Sequence, residues 1–339
     1  MKAAFYTGDK TFELRQIDPP RPGPGEVCIR VAYNGICGTD MHAYHGAMDQ
    51  RIGFNRILGH EMSGTVNALG ADVRNFSIGQ PVTVRPLRSC GQCPACKRGL
   101  SHICHNLKFL GLDTDGALQE FWCVEEDLVH PLPAGMPLDH AALTEPVAVA
   151  CHDVRMGRVK AGEDVLVIGG GPIGILIGMV CQHVGAKVTV SEVNELRLAM
   201  AQRLGFRTVN PKTTDLAGAI MAETGGKGAD VVFEVSGTRA GASVMTDVAA
   251  SRGRIVMVAI HTTKPEVDLF RFFWRELELI GVRVYEKQDF DRAIELLAGG
   301  AIEVKAIITD VSRLDDVGNA FASLDGSATA MKSLIQIGA

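Results

Sequence analysis

The chain has 339 residues, more than a single hydrophobic core usually organises, so its length predicts two domains. Hydrophobic residues make up 46% of it and charged residues 22%, which excludes a disordered or collagen-like chain. Thirty-four basic against thirty-nine acidic side chains give a net charge of −5, so no basic surplus indicates a nucleic-acid or anionic-membrane partner. We expect a cytoplasmic protein, because no apolar signal region begins the chain and its longer apolar stretches are interrupted.

Short β-branched runs, separated by glycine and proline turns, characterise the first 150 residues. Strands are predicted over 27–32, 64–66 and 80–84, with turn sequences at 22–25 and 78–81. This pattern is typical of an irregular, mostly antiparallel β domain with long loops.

A thiol, an imidazole and two carboxylates in this region are candidate metal ligands. Cys37 comes first, His60 and Glu61 follow, and Glu145 comes much later. Sulfur, nitrogen and oxygen donors scattered in this way are typical of a catalytic zinc that keeps a position open for substrate. Each residue also has an ordinary alternative, since His60 can be a hydrogen-bonded core histidine and Cys37 a small buried hydrophobe.

Four further cysteines lie within fifteen residues and have the form C-x₂-C-x₂-C-x₇-C: Cys90, Cys93, Cys96 and Cys104. The spacing predicts a closed, tetrahedral structural zinc site in a reducing compartment rather than disulfides. The metal would order a lobe of about residues 88–106, which has little core of its own. An iron–sulfur cluster and unmetallated thiols are the alternatives, and the late fourth cysteine disfavours the cluster.

Strand-like and helix-like segments alternate after residue 152. Strands are predicted over 164–168, 187–191, 207–210, 230–234, 254–260 and 279–284, and helices over 172–184 and 195–204. The alternation predicts an α/β domain with a doubly wound parallel sheet. After residue 285 come a predicted helix over 290–297 and strands over 306–309 and 333–337, which we expect to rejoin the first domain.

A glycine-rich turn between the first predicted strand and helix has the form G-x-G-x-x-G. It contains Gly169, Gly171, Pro172, Ile173 and Gly174. In this context the first glycine permits the tight turn, the second admits a pyrophosphate to the backbone, and the third packs helix on strand. The motif therefore predicts a dinucleotide site, the alternative being glycines that serve only the turn.

The residue that ends the next predicted strand, Glu192, favours NAD as the dinucleotide. Its carboxylate can accept both ribose hydroxyls and would repel a 2′-phosphate. The neighbouring Ser191 and Arg197 would favour NADP if position 192 were neutral. Further residues expected to contact the cofactor end later strands: Val258, Ile260 and Val282.

The order and separation of these motifs resemble the zinc-dependent medium-chain alcohol and polyol dehydrogenases, especially the sorbitol and threonine dehydrogenase branch. The segments that carry the resemblance are 37–42, 59–61, 90–104, 145–146 and 169–174, and it covers essentially the whole chain. It implies a GroES-like catalytic domain of residues 1–151 and 286–339, interrupted by a Rossmann NAD-binding domain of residues 152–285. It also implies a homotetramer or homodimer that pairs the Rossmann sheets through 279–284.

The resemblance further implies two zinc ions per subunit. Cys37 and His60 would bind the catalytic ion, with Glu61 and Glu145 supplying carboxylate ligation. Which of the two carboxylates binds directly stays open. The four clustered cysteines would bind the structural ion.

A proton path is also implied by the resemblance. Thr39 would pass the substrate proton to the nicotinamide ribose, and His42 would pass it to solvent. Asp40 would orient a ligand such as His60. Their ordinary alternatives are a turn hydroxyl for Thr39 and a surface histidine for His42.

The activity implied is hydride transfer between NAD and a secondary hydroxyl of a polyol, a sugar acid or a similar small molecule. L-Threonine 3-dehydrogenase and simple secondary-alcohol dehydrogenase are alternatives within the same class. A non-catalytic zinc-binding redox sensor or structural protein is the alternative from another class, and the intact proton path argues against it. Zinc-free quinone reduction predicts loss of the metal residues and does not fit.

Overall fold

The computed structural model describes residues 1–326 and 330–338. The chain divides into two units, the first formed by Met1–Glu145 with Glu286–Ala339 and the second by Pro146–Tyr285. The predicted boundary at 151/152 lies six residues later, and both positions fall within one helix, Thr144–Met156. Residues 327–329 and 339 of the predicted catalytic domain lie outside the described residues.

The first segment of the first unit is mostly β structure joined by short helices. Its strands are β1 Lys2–Gly8, β2 Thr11–Gln16, β3 Glu26–Gly35, β4 Arg56–Ile57, β5 Glu61–Leu69, β6 Pro81–Val84, β7 Leu87–Arg88, β8 Lys108–Phe109, β9 Phe121–Glu125 and β10 Val129–Pro131. Its helices are α1 Gly38–Tyr44, α2 Asp49–Ile52, α3 Pro94–Lys97, α4 Leu138–Ala141 and α5 Thr144–Met156, the last of which continues into the second unit.

The second unit alternates strands and helices. Its strands are β11 Asp164–Ile168, β12 Lys187–Ser191, β13 Arg207–Val209, β14 Ala229–Glu234, β15 Ala249–Met257 and β16 Glu278–Gly281. The helices between them are α6 Pro172–Val184, α7 Glu195–Arg203, α8 Leu216–Glu223, α9 Arg239–Val248 and α10 Leu269–Arg275. The final segment returns to the first unit with α11 Lys287–Ala298, β17 Ile308–Arg313, α12 Val317–Leu324 and β18 Lys332–Gln336.

All the strands of the second unit pair in parallel, in the order β13-β12-β11-β14-β15-β16. Residues 165–168 of β11 are buried, as expected for a central strand covered on both faces. Pro172 begins α6, and Gly185 follows it in the left-handed conformation that commonly terminates helices. The predicted α/β fold with a doubly wound parallel sheet is therefore confirmed.

Two predicted strands of this sheet have different bounds in the structure. The strand expected over 254–260 ends at Met257, because its partner β14 ends at Glu234 and the N–H groups of Val258 and Ala259 share the carbonyl oxygen of that last residue. The strand expected over 279–284 ends at Gly281. Val258, Ile260 and Val282 consequently follow strands rather than belonging to them, at the carboxyl edge of the sheet.

The main sheet of the first unit has the order β10-β6-β5-β3-β18-β17, and β9 also pairs with β3. Alternate residues of β3 point to one core, where Val27, Ile29 and Val31 are buried with Trp122 of β9. The strand predicted over 306–309 begins at Ile308, because residues 304–306 form a short 3₁₀ turn. At its end β3 is flanked by both β5 and β18, and this arrangement brings distant residues to one place.

Candidate active site and metal centres

The four cysteines of the predicted lobe come together around a common centre. The sulfur of Cys93 is 3.5 Å from that of Cys96 and 3.8 Å from that of Cys104, and the sulfurs of Cys104 and Cys90 are 3.4 Å apart. Four sulfurs each about 2.3 Å from a tetrahedral zinc would be about 3.8 Å from one another. The described cysteines form no disulfide, so this donor set fits a zinc ion.

Backbone N–H groups surround these sulfurs and favour their thiolate forms. His105 N–H donates to Cys93 Sγ at 3.4 Å, and Asn106 N–H donates to Cys104 Sγ at 3.3 Å. Hydrogen bonds from the backbone of residues 92 and 93 lower the pKa of Cys90 to about 6. Burial and the neighbouring sulfurs raise the pKa of Cys96 to about 11, as expected for thiols crowded together without a cation.

The second candidate metal centre lies where β3 passes into α1. Cys37 caps this helix: its backbone N–H donates to Asp40 Oδ2 at 2.9 Å, and its sulfur accepts the Thr39 N–H at 3.5 Å. One ligand atom each of Cys37, His60 and Glu61 lies within 4.8 Å of the others. Sulfur, imidazole nitrogen and carboxylate oxygen are donors that zinc accepts, and the set leaves a coordination position open.

His60 is fully enclosed and faces a buried carboxylate. Its Nδ1 lies 3.5 Å from Asp40 Oδ1, and both side chains are 1% exposed. The edge of the imidazole also meets the Phe109 ring, with the centroids 4.9 Å apart. Burial lowers the pKa of His60, but Asp40 and the Cys37 sulfur together raise it well above its ordinary value. Asp40 is thus in position to orient the imidazole, the part predicted for it.

Glu61 has a partner that the sequence did not indicate. Its carboxylate Oε2 is paired with the ammonium of Lys332, and both side chains are almost completely buried. The ammonium also donates to the carbonyl oxygen of Ile36 at 3.1 Å. Burial lowers the pKa of Lys332, but Glu61, Cys37 and Glu145 raise it further than burial lowers it, so the lysine is charged.

A glycine allows this pair to form. Gly35 ends β3, between Glu61 of β5 and Leu334 of β18 in the ladder. A Cβ atom at Gly35 would lie 2.2 Å from Glu61 Oε2 and 3.0 Å from Lys332 Cε. Glycine at this position leaves room for the carboxylate and the ammonium to meet beside Cys37.

The remaining predicted residues of the open site are arranged around this set. Glu145 is buried at the start of α5 and acts on the Lys332 ammonium, but it does not belong to the group of ligand atoms within 4.8 Å. Thr39 is half-buried and His42 is exposed. They are three residues apart in α1, so their side chains are neighbours on one face of the helix.

The glycine-rich turn of the second unit connects β11 to α6. The Gly169 N–H donates to the Ser191 carbonyl at 2.8 Å, which holds the turn beside the end of β12. A Cβ atom at Gly174 would lie 1.9 Å from the Gly169 carbonyl oxygen, so this position requires glycine. At Gly171 the nearest atom to such a Cβ is Arg197 Nη1, 3.9 Å away, which leaves space beside the N-terminus of α6. Pro172 and Ile173 are half-buried in the first turn of that helix.

Glu192 lies against this turn and is held by backbone donors. Its Oε2 accepts the Gly170 N–H at 2.9 Å, and its Oε1 accepts the N–H groups of Val193 at 2.6 Å and Asn194 at 2.9 Å. Arg197 Nη1 is 4.0 Å from Oε2. The carboxylate is therefore fixed at the carboxyl edge of the sheet, where doubly wound sheets bind nucleotides.

Two features of these sites could not be read from the local sequence. Lys332 begins β18, and the sequence MKSLIQI around it gives no reason to place a lysine inside the protein. The second feature is a hydrogen bond between the fully buried Glu234, at the end of β14, and His261, whose Nε2 lies 3.0 Å from Glu234 Oε2. Glu234 Oε1 also accepts the Ser236 N–H at 3.1 Å, so the pair orders the loop after β14.

Within residues 1–326 and 330–338, the groups of three or more potential ligands close enough for one metal ion are the two sets described above. Among the helices in the same part of the chain, none is long and apolar enough to cross a membrane.

Comparison with known proteins gives consistent matches over the two units. The family model of the alcohol dehydrogenase GroES-like domain matches residues 23–134, and that of the zinc-binding dehydrogenase matches residues 172–299. The chain is 54% identical to 2-dehydro-3-deoxy-L-galactonate 5-dehydrogenase of Pseudoalteromonas atlantica, with 100% of this chain and 99% of the relative covered. It is 34% identical to L-threonine 3-dehydrogenase of Pyrococcus furiosus, with 88% and 87% covered.

A solved structure extends the similarity to the whole fold. It is a protein described as a zinc-binding dehydrogenase, from Sinorhizobium meliloti 1021 and bound to NADP. The TM-score is 0.94 at 31% sequence identity, and the match covers 99% of this chain and 98% of the other.

Proposed function

The chain belongs to the zinc-dependent medium-chain alcohol and polyol dehydrogenase family, and on that premise we propose that it oxidises a secondary hydroxyl of a sugar acid with NAD. The observation that carries the substrate class is the 54% identity, over its full length, to a dehydrogenase of a six-carbon keto-deoxy acid. The substrate would be 2-dehydro-3-deoxy-L-galactonate or a sugar acid of closely similar structure.

Two zinc ions per subunit are part of the proposal. The four-thiol lobe would hold one, and Cys37 and His60 with a carboxylate would hold the other. When bound, the second ion would supply Lewis acidity toward the substrate hydroxyl, and the nicotinamide cofactor would supply the hydride acceptor. Asp40 would keep the His60 imidazole in one orientation, and Lys332 would hold the Glu61 carboxylate in place.

The proton of the substrate hydroxyl would leave through α1. The Thr39 hydroxyl would take it within the half-buried part of the helix, and the His42 imidazole, exposed one turn later, would release it to water. His42→Ala should slow alcohol oxidation most below neutral pH, and added imidazole should restore part of the rate. A pH–rate profile identical to that of the wild type would contradict this path.

Glu192 would select NAD over NADP. The test compares kcat/KM for the two cofactors in Glu192→Ala and in the matched control Glu195→Ala, whose exposed carboxylate lies three residues away on α7. We expect the preference for NAD to fall at least about tenfold in the first variant and to stay unchanged in the second. Since a similar structure binds NADP, an unchanged ratio in Glu192→Ala would remove this assignment.

We also propose a cytoplasmic homo-oligomer, a dimer or a tetramer. The exposed aromatic side chains of α10, Phe270, Phe273 and Trp274, lie just before the edge strand β16, and an apolar surface of this kind is typical of subunit contacts. Phe273→Glu should shift the mass measured by light scattering toward the monomer.

Nine cysteines without a disulfide among the described residues support a reducing compartment.

A substrate panel tests the activity itself, with reduction of NAD followed by absorbance. The panel contains 2-dehydro-3-deoxy-L-galactonate, L-galactonate, galactitol, xylitol and L-threonine. We expect the highest kcat/KM for a sugar acid and a lower value for galactitol, which lacks the carboxylate. Preferential oxidation of L-threonine would favour the threonine dehydrogenase alternative, to which the similarity is weaker.

A further inference from the structure

Two cysteines outside both metal centres face each other across neighbouring strands. Cys28 of β3 is directly opposite Cys123 of β9 in an antiparallel ladder without irregularities. Neither belongs to a group of potential metal ligands. On the same face of the ladder, Arg30 lies over the ring of its own cross-strand neighbour Phe121, 5.2 Å from the centroid.

The ladder places this pair at a position that suits a disulfide. The Val31 N–H donates to the Glu120 carbonyl at 3.0 Å, and the Glu126 N–H donates to the Gly25 carbonyl at 2.9 Å. Hydrogen-bonded and non-hydrogen-bonded pairs alternate along an antiparallel ladder, so Cys28 and Cys123 form a non-hydrogen-bonded pair. Cα atoms of such pairs are about 4.5 Å apart, within the range of about 4.4–6.8 Å found in disulfides.

The two thiols differ in their surroundings. Cys28 is 1% exposed, and its sulfur lies 4.0 Å from the carbonyl oxygen of Pro20. Hydrogen bonds from Cys123 and then from the Asn67 side chain lower the pKa of Cys28. The same contact with Cys28, followed by burial, raises the pKa of Cys123, which is partly exposed. Cys28 is therefore the thiol that ionises first, and Cys123 lies against it as a second thiol.

We propose that Cys28 and Cys123 form an oxidative modification site, which hydrogen peroxide converts into a reversible disulfide between β3 and β9. The Cys28 thiolate attacks one oxygen of the peroxide, the O–O bond breaks, and the released hydroxide takes up a proton to become water. The resulting sulfenic acid is attacked by Cys123, which forms the S–S bond and releases a second water. The two sulfurs together lose two electrons to the peroxide, and the two thiol protons leave in the two waters.

A small oxidant is required by the burial of Cys28. Peroxide can approach a sulfur that a bulky disulfide reagent cannot reach. Because β3 continues directly to Gly35 and then to Cys37, the cross-link would join the strand that carries a candidate zinc ligand to its neighbour. The remaining buried cysteines, Cys151 and Cys181, belong to the second unit and serve as the comparison.

The test uses the zinc-loaded wild-type protein. It is treated with a small excess of hydrogen peroxide, alkylated under denaturing conditions, digested without reduction and mapped by mass spectrometry. We expect a linked peptide pair containing Cys28 and Cys123, simultaneous loss of alkylation at both, unchanged zinc content and full reversal by dithiothreitol. The proposal is overturned if both thiols stay alkylatable while the lobe cysteines oxidise and release zinc. Conversion of either cysteine to sulfinic acid, with the other still a thiol, overturns it as well.

Two variants sharpen the result. Cys123→Ser should abolish the linked peptide and leave Cys28 to be oxidised singly, whereas Cys181→Ser should form the disulfide in wild-type yield. An unaltered yield of a Cys28-linked peptide in Cys123→Ser would show that another thiol is the partner. Because the mapping of the wild-type protein is decisive by itself, the proposal stays testable if Cys123→Ser does not fold.

Discussion

Replacing Lys332 by methionine tests the buried ion pair beside the candidate catalytic centre. Methionine fills much of the space of the lysine stem but has no charge, so Glu61 would be left as an unpaired buried carboxylate. The side chains of Lys332 and Glu61 are 4% and 1% exposed. Removing one partner of such a pair typically costs about 3–5 kcal/mol. We expect the free energy of unfolding of the zinc-free protein to fall by about that amount.

The same substitution at an exposed pair supplies the matched control. Lys2 pairs with Asp315 at 2.8 Å in the same unit, with the two side chains 42% and 46% exposed. Exposed pairs contribute at most about 1 kcal/mol, so Lys2→Met should change the free energy of unfolding by less than that. The double variant Lys332→Met with Glu61→Gln removes both charges and should recover most of the loss.

Adding zinc tests the same ion pair in a second way. A cation bound by Cys37 and His60 would compensate the Glu61 charge, so zinc should reduce the destabilisation caused by Lys332→Met. Equivalently, the variant should gain more stability from zinc than the wild type does, since a ligand stabilises in proportion to its preference for the folded state.

The assay is urea unfolding of zinc-free and zinc-loaded protein, followed by tryptophan fluorescence. Trp122 is buried in the first unit and Trp274 is exposed in the second, so a Trp274→Phe background makes the signal report on the unit that contains Lys332. This separation matters because proteins with two units often unfold in more than one step. If Lys332→Met costs no more than Lys2→Met, or if zinc does not change its cost, the assigned role of the pair is wrong.

Three further predictions concern other parts of the chain. Gly174→Ala should weaken NAD binding at least about tenfold in a fluorescence titration, because the added Cβ would lie 1.9 Å from a carbonyl oxygen. The control is Gly318→Ala, which should leave NAD binding unchanged because no atom lies within 4 Å of its added Cβ. Cys104→Ser should lower the zinc content by one ion per chain in elemental analysis, and an unchanged content would contradict a zinc-binding lobe. Burial lowers the pKa of His130 from 6.5 to about 4. Between these two pH values the unfolded chain binds more protons than the folded one. The free energy of unfolding should therefore fall by up to about 3 kcal/mol as the pH drops from about 6.5 to about 4. His130→Gln should remove this dependence in urea unfolding measured across the interval, whereas His42→Gln, at an exposed position, should retain it.

The second unit was largely predictable, and the reason is the local character of its signals. β11, α6 and β12 have the predicted bounds, because continuous apolar strands, a proline at the helix start and a glycine after its end are all visible within a few residues. The errors occur where the ladder ends for a non-local reason. β15 stops at Met257 because β14, the strand with which it pairs, ends at Glu234, and the next two amides share the carbonyl oxygen of that residue.

The candidate metal centres show the same contrast. The spacing of the lobe cysteines is almost sufficient to predict how their sulfurs are arranged, since a loop this short can place four sulfurs around only one centre. The open site is assembled from β3, β5 and β18, so its composition depends on strand pairing across the whole chain. The part played by Lys332 could not be predicted for this reason. The sequence also presents Glu61 and Glu145 as equal candidate ligands, whereas in the structure only Glu61 lies within 4.8 Å of the Cys37 and His60 ligand atoms.

The position of β18 after the second unit in the chain also orders the events of synthesis. The ribosome delivers residues 146–285 as one continuous segment, and domains generally begin to fold while the chain is still growing. The first unit, although most of it is translated first, lacks one of the strands that pair with β3 until residues 332–336 have been added. The inner unit is therefore complete in the nascent chain before the outer one, and Glu61 has no Lys332 ammonium beside it until β18 has been translated. During this interval residues 1–145 are available to a chaperone or to a zinc ion before their sheet is complete.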